Sequence, residues 1–208
     1  MSNNEVKVFS RKINNKNVSL QCIENLSGQA EFLLELIEQE QEHTNVLKDN
    51  FKIQVGWSIY TVKEQNGGFI LLSPDYEKNP FQDTTKDLSL SIFVQVQQNI
   101  ILKKANVDGE PVSFQDTIVV LKDALNSDSV YMERKEKCKK GDSGWYLGLI
   151  EDDVIPRTVE DYKAIYTFQL LQLKPHLLQL LSLPTGCLAI INGTKIEEVI
   201  DSNDNRLI

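Results

Sequence analysis

The sequence has few of the side chains that catalytic and metal sites use most often. Its 208 residues include only two histidines, His43 and His176, and three cysteines, Cys22, Cys138 and Cys187. The cysteines form no Cys-x-x-Cys pair and do not group with the histidines, which argues against a disulfide framework or a zinc site and favours a reducing compartment. Phosphate-binding, dinucleotide-binding, HExxH and GxSxG motifs are missing as well. We therefore expect no catalytic residue, no metal and no cofactor.

Long apolar segments are also missing. No run of about 18 apolar residues occurs, so no transmembrane helix is expected, and the first residues lack the apolar core of a secretory signal. The formal net charge is −8, which disfavours nucleic acid and anionic membranes and favours a basic partner. These features predict a cytoplasmic protein that binds neither nucleic acid nor membrane.

Hydrophobic patterning predicts a mixture of helices and strands. The first clear helix covers 28–47, with Ser27 as its N-cap and one apolar face. The other predicted elements are one or two short strands in 1–26, strands at 53–62 and 69–73 joined at Asn66-Gly67, a helix rather than a strand at 86–105, strands at 117–121, 129–134 and 144–150, a helix at 158–173, a short helix from Pro175 to Leu183, and strands at 187–191 and 195–200 around Asn192-Gly193. This order predicts an α+β fold with helices packed on an antiparallel-dominated sheet.

The predicted division of the chain places an N-terminal segment at 1–50 and an α+β domain at 51–208. The segment either stands apart or belongs to the same domain. Its helix carries an acidic stripe at helical spacing, formed by Glu31, Glu35, Glu38 and Glu42. Such a stripe is either a solvated face or a docking surface for a basic protein.

The string Asp142-Ser143-Gly144-Trp145 permits two interpretations. Together with Gly141 it reads Gly-Asp-Ser-Gly, which also surrounds the nucleophile of chymotrypsin-like proteases. Neither histidine lies in a matching context, so a catalytic Ser143 is disfavoured. The structural interpretation has Asp142 and Ser143 capping a turn through hydrogen bonds to the backbone, with Trp145 starting a strand and packing inward. Further along, Glu151, Asp152 and Asp153 lack the spacing of a calcium loop. They fit either plain solvated surface or the part of an inhibitor that meets a cationic target.

Three strings together resemble a known family. Tyr131-Met132-Glu133-Arg134, then Asp142-Ser143-Gly144-Trp145, then Leu183-Pro184-x-Gly186 are similar to the pattern of the polymorphic-toxin immunity family numbered thirty-three, most densely over 117–200. The resemblance implies a cognate toxin encoded beside the gene. It nominates Met132, Arg134, Asp142, Ser143, Gly144, Trp145, Pro184 and Gly186 as family-motif or partner-binding residues, and charge adds the acidic loop at 151–153.

These observations lead to one main hypothesis. We expect an immunity protein that binds a toxin, itself basic, and neutralises it by stoichiometric protein–protein inhibition. The alternatives are a hydrolase-like enzyme that uses Ser143 and Asp142 with His176, and an adaptor with no toxin. The sequence leaves the oligomeric state open.

Overall fold

The computed structural model describes residues 5–137, 139–150 and 156–208. The chain forms two compact units, Met1–Val96 and Gln97–Ile208. The α+β class is confirmed. In place of one sheet there are two, and each combines antiparallel pairs with one parallel pair. Residues 5–50 share the first unit with the strands that follow them; the division into a segment at 1–50 and a domain at 51–208 stays a prediction.

The first unit is built on a sheet with strand order β1-β2-β5-β4-β3, in which β6 pairs with β5. Its elements are β1 (Val6–Ile13), β2 (Lys16–Ile23), α1 (Ser27–His43), β3 (Phe51–Val55), β4 (Ser58–Gln65), β5 (Gly68–Pro74) and β6 (Thr84–Thr85). The β2–β5 pair is parallel. Ala30, Leu33, Leu34 and Ile37 form the buried face of α1, as their spacing predicts. That face and the inward side chains of the sheet make one hydrophobic core.

Two predictions in this unit are corrected. Ser27 is the first residue of α1 rather than its cap, because a 3-10 turn at Glu24–Leu26 leads directly into the helix, which then ends at His43. The strand predicted at 53–62 is two antiparallel strands, β3 and β4. Gly56 adopts φ +59° between them, a conformation that glycine reaches without steric strain. The hairpin at Asn66-Gly67 is confirmed, since both residues have positive φ, as a tight reversal between twisted strands requires.

The second unit is built on a sheet with order β10-β7-β9-β8-β11-β12. The predicted helix is confirmed as α2 (Ser89–Ala105), which contains the boundary between the units. The later elements are β7 (Thr117–Leu121), β8 (Ser129–Arg134), β9 (Asp142–Leu149), β10 (Tyr162–Tyr166), α3 (Leu170–Leu173), a 3-10 segment at Pro175–Leu180, β11 (Leu188–Asn192) and β12 (Lys195–Ile200). The β7–β9 pair is parallel and the other pairs are antiparallel.

The helix predicted at 158–173 is wrong over its central residues. Residues Tyr162–Tyr166 form β10, with a 3-10 turn at Val159–Asp161 before it and helical structure at Thr167–Leu173 after it. All five residues of β10 pair with β7. Without β10, one side of β7 would be an open sheet edge. The hydrogen bonds that β10 gains there outweigh the helical spacing of its apolar residues, and its tyrosines and isoleucine are also good strand formers.

Candidate functional site

The motif Asp142–Trp145 forms a bulge at the start of β9. Thr117 pairs with Asp142 but Val119 pairs with Tyr146, so β9 carries extra residues opposite β7. The Asp142 carboxylate accepts a hydrogen bond from the Gly144 N–H at 2.9 Å, and Ser143 Oγ accepts one from the Trp145 N–H at 3.1 Å. The predicted capping bonds are therefore present, within a strand rather than a turn. Their effect is to hold the backbone that sets Trp145.

Gly144 is the residue that this bulge requires. Its φ is +77°, and an added Cβ would lie 2.2 Å from the backbone oxygen of Lys135, far inside contact distance. The approach is close because the Gly144 carbonyl accepts a hydrogen bond from the Lys135 N–H at 2.9 Å. Any side chain at this position would therefore push β8 and β9 apart.

The Arg134 side chain is a fully buried cation in the same unit. Nη1 donates to the carbonyl oxygens of Glu110, at 3.1 Å, and Leu181, at 3.4 Å, and also to that of Leu183. Nη2 lies 3.5 Å from Glu110 Oε2, and the guanidinium carbon is 5.8 Å from the centroid of the Trp145 ring. A buried charge is tolerated only where such partners replace water. Arg134 therefore holds the segment Leu181–Leu183 against β8 and β9.

The closing Pro184-x-Gly186 turn joins this cluster. The Gly186 N–H donates to the Arg134 carbonyl at 2.8 Å, and the Arg134 N–H donates to the Cys187 carbonyl at 2.9 Å. Trp145 Nε1 donates to the Leu181 carbonyl at 3.0 Å. The three strings of the family pattern are far apart in sequence, yet they meet around one guanidinium group, which we call the arginine cluster: Glu110, Arg134, Trp145, Leu181, Leu183 and Gly186.

The charges in the arginine cluster are coupled. Burial lowers the pKa of Arg134, and the carboxylate of Glu110 opposes that change. Burial alone would raise the pKa of Glu110. Hydrogen bonds from the Thr185 N–H and hydroxyl group, at 3.1 and 3.0 Å, together with the charge of Arg134, outweigh burial and hold that pKa below its ordinary value. Glu110 is therefore the ionised counterpart of Arg134.

Most of the nominated motif residues lie inside the protein. Met132, Arg134, Ser143 and Trp145 are each at most 1% exposed. The structural interpretation of Trp145 as an inward-packing residue is thus confirmed. Asp142, Gly144, Pro184 and Gly186 are partly exposed. The acidic loop Glu151, Asp152 and Asp153 lies outside the described residues.

The same burial bears on catalysis. Ser143 has no exposed surface, and its oxygen already accepts the Trp145 N–H, so substrate has no route to it. Burial and the nearby Lys174 lower the pKa of His176. Within residues 5–137, 139–150 and 156–208, no group of histidine, cysteine and acidic side chains is arranged to hold a metal ion.

The opposite side of the second sheet carries a different set of residues. Cross-strand partners share a face, and the pairs Val119–Tyr146, Tyr131–Gly148, Tyr131–Ile190 and Val119–Ala164 define it. We call it the tyrosine face: Val119, Tyr131, Glu133, Tyr146, Gly148, Tyr162, Ala164, Leu188, Ile190 and Glu198. All of these except Gly148 are partly or fully exposed, and Val119 is 41% exposed.

Three tyrosines cross this face as a row. The ring centroids of Tyr131 and Tyr146 are 5.7 Å apart, and those of Tyr146 and Tyr162 are 6.1 Å apart. Gly148 makes room for them, because an added Cβ there would lie 2.6 Å from the Tyr131 ring and 2.8 Å from the Tyr146 ring. Partial burial, with a contribution from its two tyrosine neighbours, raises the pKa of Tyr146. The rings thus form a fixed aromatic surface rather than loose side chains.

The acidic stripe of α1 is partly neutralised within its own unit. Arg11 on β1 donates to Glu38 at 2.6 Å and to Glu35 at 3.3 Å, while Glu31 and Glu42 are exposed. Two of the four carboxylates therefore already have a cation, which weakens the stripe as a docking surface.

These features define an α+β protein whose signature side chains are buried around an arginine. The chain belongs to the Imm33-like domain family, whose model matches residues 97–202, just over half of the chain. No curated protein and no solved structure was found to match it. In the described part of the chain, no helix is long and apolar enough to cross a membrane.

Sequence reasoning missed two parts of this geometry. Glu110 completes the arginine cluster and Thr185 donates hydrogen bonds to it, but no motif marks either residue, since each acts through a contact distant in sequence. The tyrosine face did leave a signal. Tyr131 and Tyr146 alternate with the buried Met132 and Trp145 along their strands, and period-two alternation places such residues on opposite sides of a sheet. Tyr162 could not be added while its segment was predicted as a helix.

Proposed function

We propose that this protein is an immunity protein that binds a cognate bacterial toxin in the cytoplasm and neutralises it by stoichiometric protein–protein inhibition. The observation that carries the proposal is the family match over residues 97–202. All three strings of the immunity-family pattern lie within that range. A basic toxin suits the net charge of −8, because opposite fields accelerate encounter.

In this proposal the motif residues act as support for the binding surface. Arg134 and Trp145 are buried, and their contacts fix the Leu181–Gly186 segment and the ends of β8 and β9. A rigid scaffold lowers the conformational entropy that binding must overcome. The motif can therefore be required for neutralisation even where its side chains do not touch the toxin. Ser143 in particular has a backbone role and is not a nucleophile.

The experiment is co-expression with the reading frames that flank the gene. Each flanking product is induced alone, together with the wild-type protein, and together with an unrelated acidic protein of similar size. We expect one flanking product to arrest growth, the wild-type protein to restore it, and the two proteins to co-purify in a fixed ratio. A flanking toxin that is neither bound nor neutralised would refute the proposal.

A matched variant separates inhibition from catalysis. Ser143→Ala should keep full protection at equal protein level, with its folding verified by thermal unfolding, because Ser143 contributes one backbone hydrogen bond and is buried. Loss of protection by a folded Ser143→Ala protein would instead favour the hydrolase alternative.

A further inference from the structure

The tyrosine face combines an aromatic row with carboxylates at its sides. Glu133 lies opposite Tyr146, and Glu198 lies opposite Ile190, which itself neighbours Tyr131. Both carboxylates are partly exposed. The ten residues of this face include no lysine or arginine. Among the described residues, cations lie at its margins: Lys135 pairs with Glu133 at 3.1 Å, Arg206 pairs with Glu198 at 3.4 Å, and Lys195 lies opposite Asn192 at the end of β11.

The outer surface of the first unit's sheet has the opposite character. Lys12, Lys52 and Lys63 project from it at the positions paired with Asn17, Thr61 and Ile70. Positive charges repel a basic partner, so that surface is a poor docking surface for a basic toxin. The inward side of the second unit's sheet is filled by its own segment Leu177–Leu183 around Arg134 and Trp145. Among the described strands of the second unit, the tyrosine face combines exposure and aromatic rings with two carboxylates, each of which an incoming cation would share with Lys135 or Arg206.

We propose that the tyrosine face receives the toxin and that the toxin presents arginine side chains to it. This inference rests on the proposed function and names the surface and chemistry that the function would use. Guanidinium groups stack on tyrosine rings and form paired hydrogen bonds with carboxylates, and lysine does only part of this. Tyrosine and arginine are also the residues that most often carry binding energy at interfaces. A row of tyrosine rings packed against one another over Gly148 loses little side-chain freedom on binding.

The test compares one substitution at two positions. Val119→Lys places a cation on the tyrosine face, opposite Tyr146 and Ala164. Val159→Lys makes the same chemical change at a residue that is 89% exposed and outside the strands. A second pair, Glu198→Gln and Glu197→Gln, removes one negative charge from the face or from the neighbouring residue, which has no partner on β11 and pairs with Lys195 instead. Within each pair the two variants have the same net charge, and thermal unfolding verifies that each variant is folded.

Two probes are titrated by calorimetry at low and moderate salt. One is the flanking-gene product that binds in the co-expression experiment, and the other is a pair of oligoarginine and oligolysine peptides of equal length. We expect Val119→Lys to weaken toxin binding by about tenfold or more and Val159→Lys to leave it within about twofold. We expect oligoarginine to bind the wild-type protein more tightly than oligolysine, and only the face variants to reduce that preference.

The outcomes separate the two proposals. A toxin bound equally by Val119→Lys and Val159→Lys would refute the face and leave the immunity function intact. Oligoarginine recognition that depends on Val119, with no flanking product bound, would support the face and refute the immunity function. No binding by any probe would overturn both. A wild-type dimer in light scattering that Val119→Lys converts to monomer would show that the occupant is a second copy, and would overturn the inference.

Discussion

Replacing Arg134 by methionine is expected to destabilise the second unit strongly. Methionine keeps much of the aliphatic stem but removes every donor. The Leu181 carbonyl still accepts the Trp145 Nε1–H at 3.0 Å, whereas the carbonyls of Glu110 and Leu183 lose the guanidinium donor. Each buried acceptor left without a partner costs about 1–3 kcal/mol. The free energy of unfolding should therefore fall by about 3 kcal/mol for the two carbonyls together.

Urea unfolding followed by fluorescence measures this change. The chain has two tryptophans, Trp57 in the first unit and Trp145 in the second. A Trp57→Phe background therefore leaves Trp145 as the reporter of the arginine cluster. The matched variant is Glu110→Gln, which removes the ionic partner but keeps the carbonyl contacts. The Glu110 side chain is 45% exposed, so solvent screens the pair and its loss should cost about 1 kcal/mol or less.

The ranking of these two variants is the decisive result. If Arg134→Met costs less than about 1 kcal/mol, the buried hydrogen bonds do not hold the cluster together. If Glu110→Gln costs as much as Arg134→Met, the ion pair rather than the carbonyl contacts carries the stability. Either result would contradict the role assigned to Arg134.

Three further predictions follow from the described geometry. Gly144→Ala should lower the free energy of unfolding by about 2 kcal/mol more than Gly141→Ala. Both residues have positive φ, but only at Gly144 would the added Cβ meet a backbone oxygen. Equal losses of stability in urea unfolding would refute the clash. The pKa of Glu110 lies below its ordinary 4.5, so its contribution to stability is present above that pH and is lost as the pH falls through the folded-state value. Acid titrations of thermal stability should therefore show a shallower decline for Glu110→Gln than for the wild type, and identical slopes would exclude this linkage. Burial raises the pKa of Cys22 to about 11 and also raises that of Cys187. Iodoacetamide at pH 8 should therefore leave both thiols of the native protein unalkylated, as peptide mapping would show. Rapid labelling of either thiol would show that its site opens.

Local signals in the sequence predicted much of the fold because the interactions behind them are local. The helix face of α1, the hairpin at Asn66-Gly67 and the strands β7, β8 and β11 each follow from residues within one element or one turn. The errors occurred where distant contacts compete with local pattern. Tyr162–Tyr166 has helical spacing, but the free edge of β7 makes it a strand, and Gly56 divides one predicted strand into two by a reversal that brings β3 back onto β4.

The candidate site divides in the same way. The family strings could be identified from the sequence because they consist only of residue identity and order, and they indicated the immunity family. Their physical role could not be read, because it depends on carbonyls at Glu110, Leu181 and Leu183 that only folding brings to Arg134. The tyrosine face needed all six strands of the second sheet in register, one of them mispredicted.

By itself, the sequence determined the α+β class, the main hairpin and the family, since each depends on local periodicity, turn chemistry or residue order. Only the tertiary structure decided that the motif residues are buried and that a row of tyrosines faces outward. The physical reason is that burial and sheet register belong to pairs of segments rather than to single ones. A strand's alternation shows that it has two faces, and only its neighbours decide which face is covered.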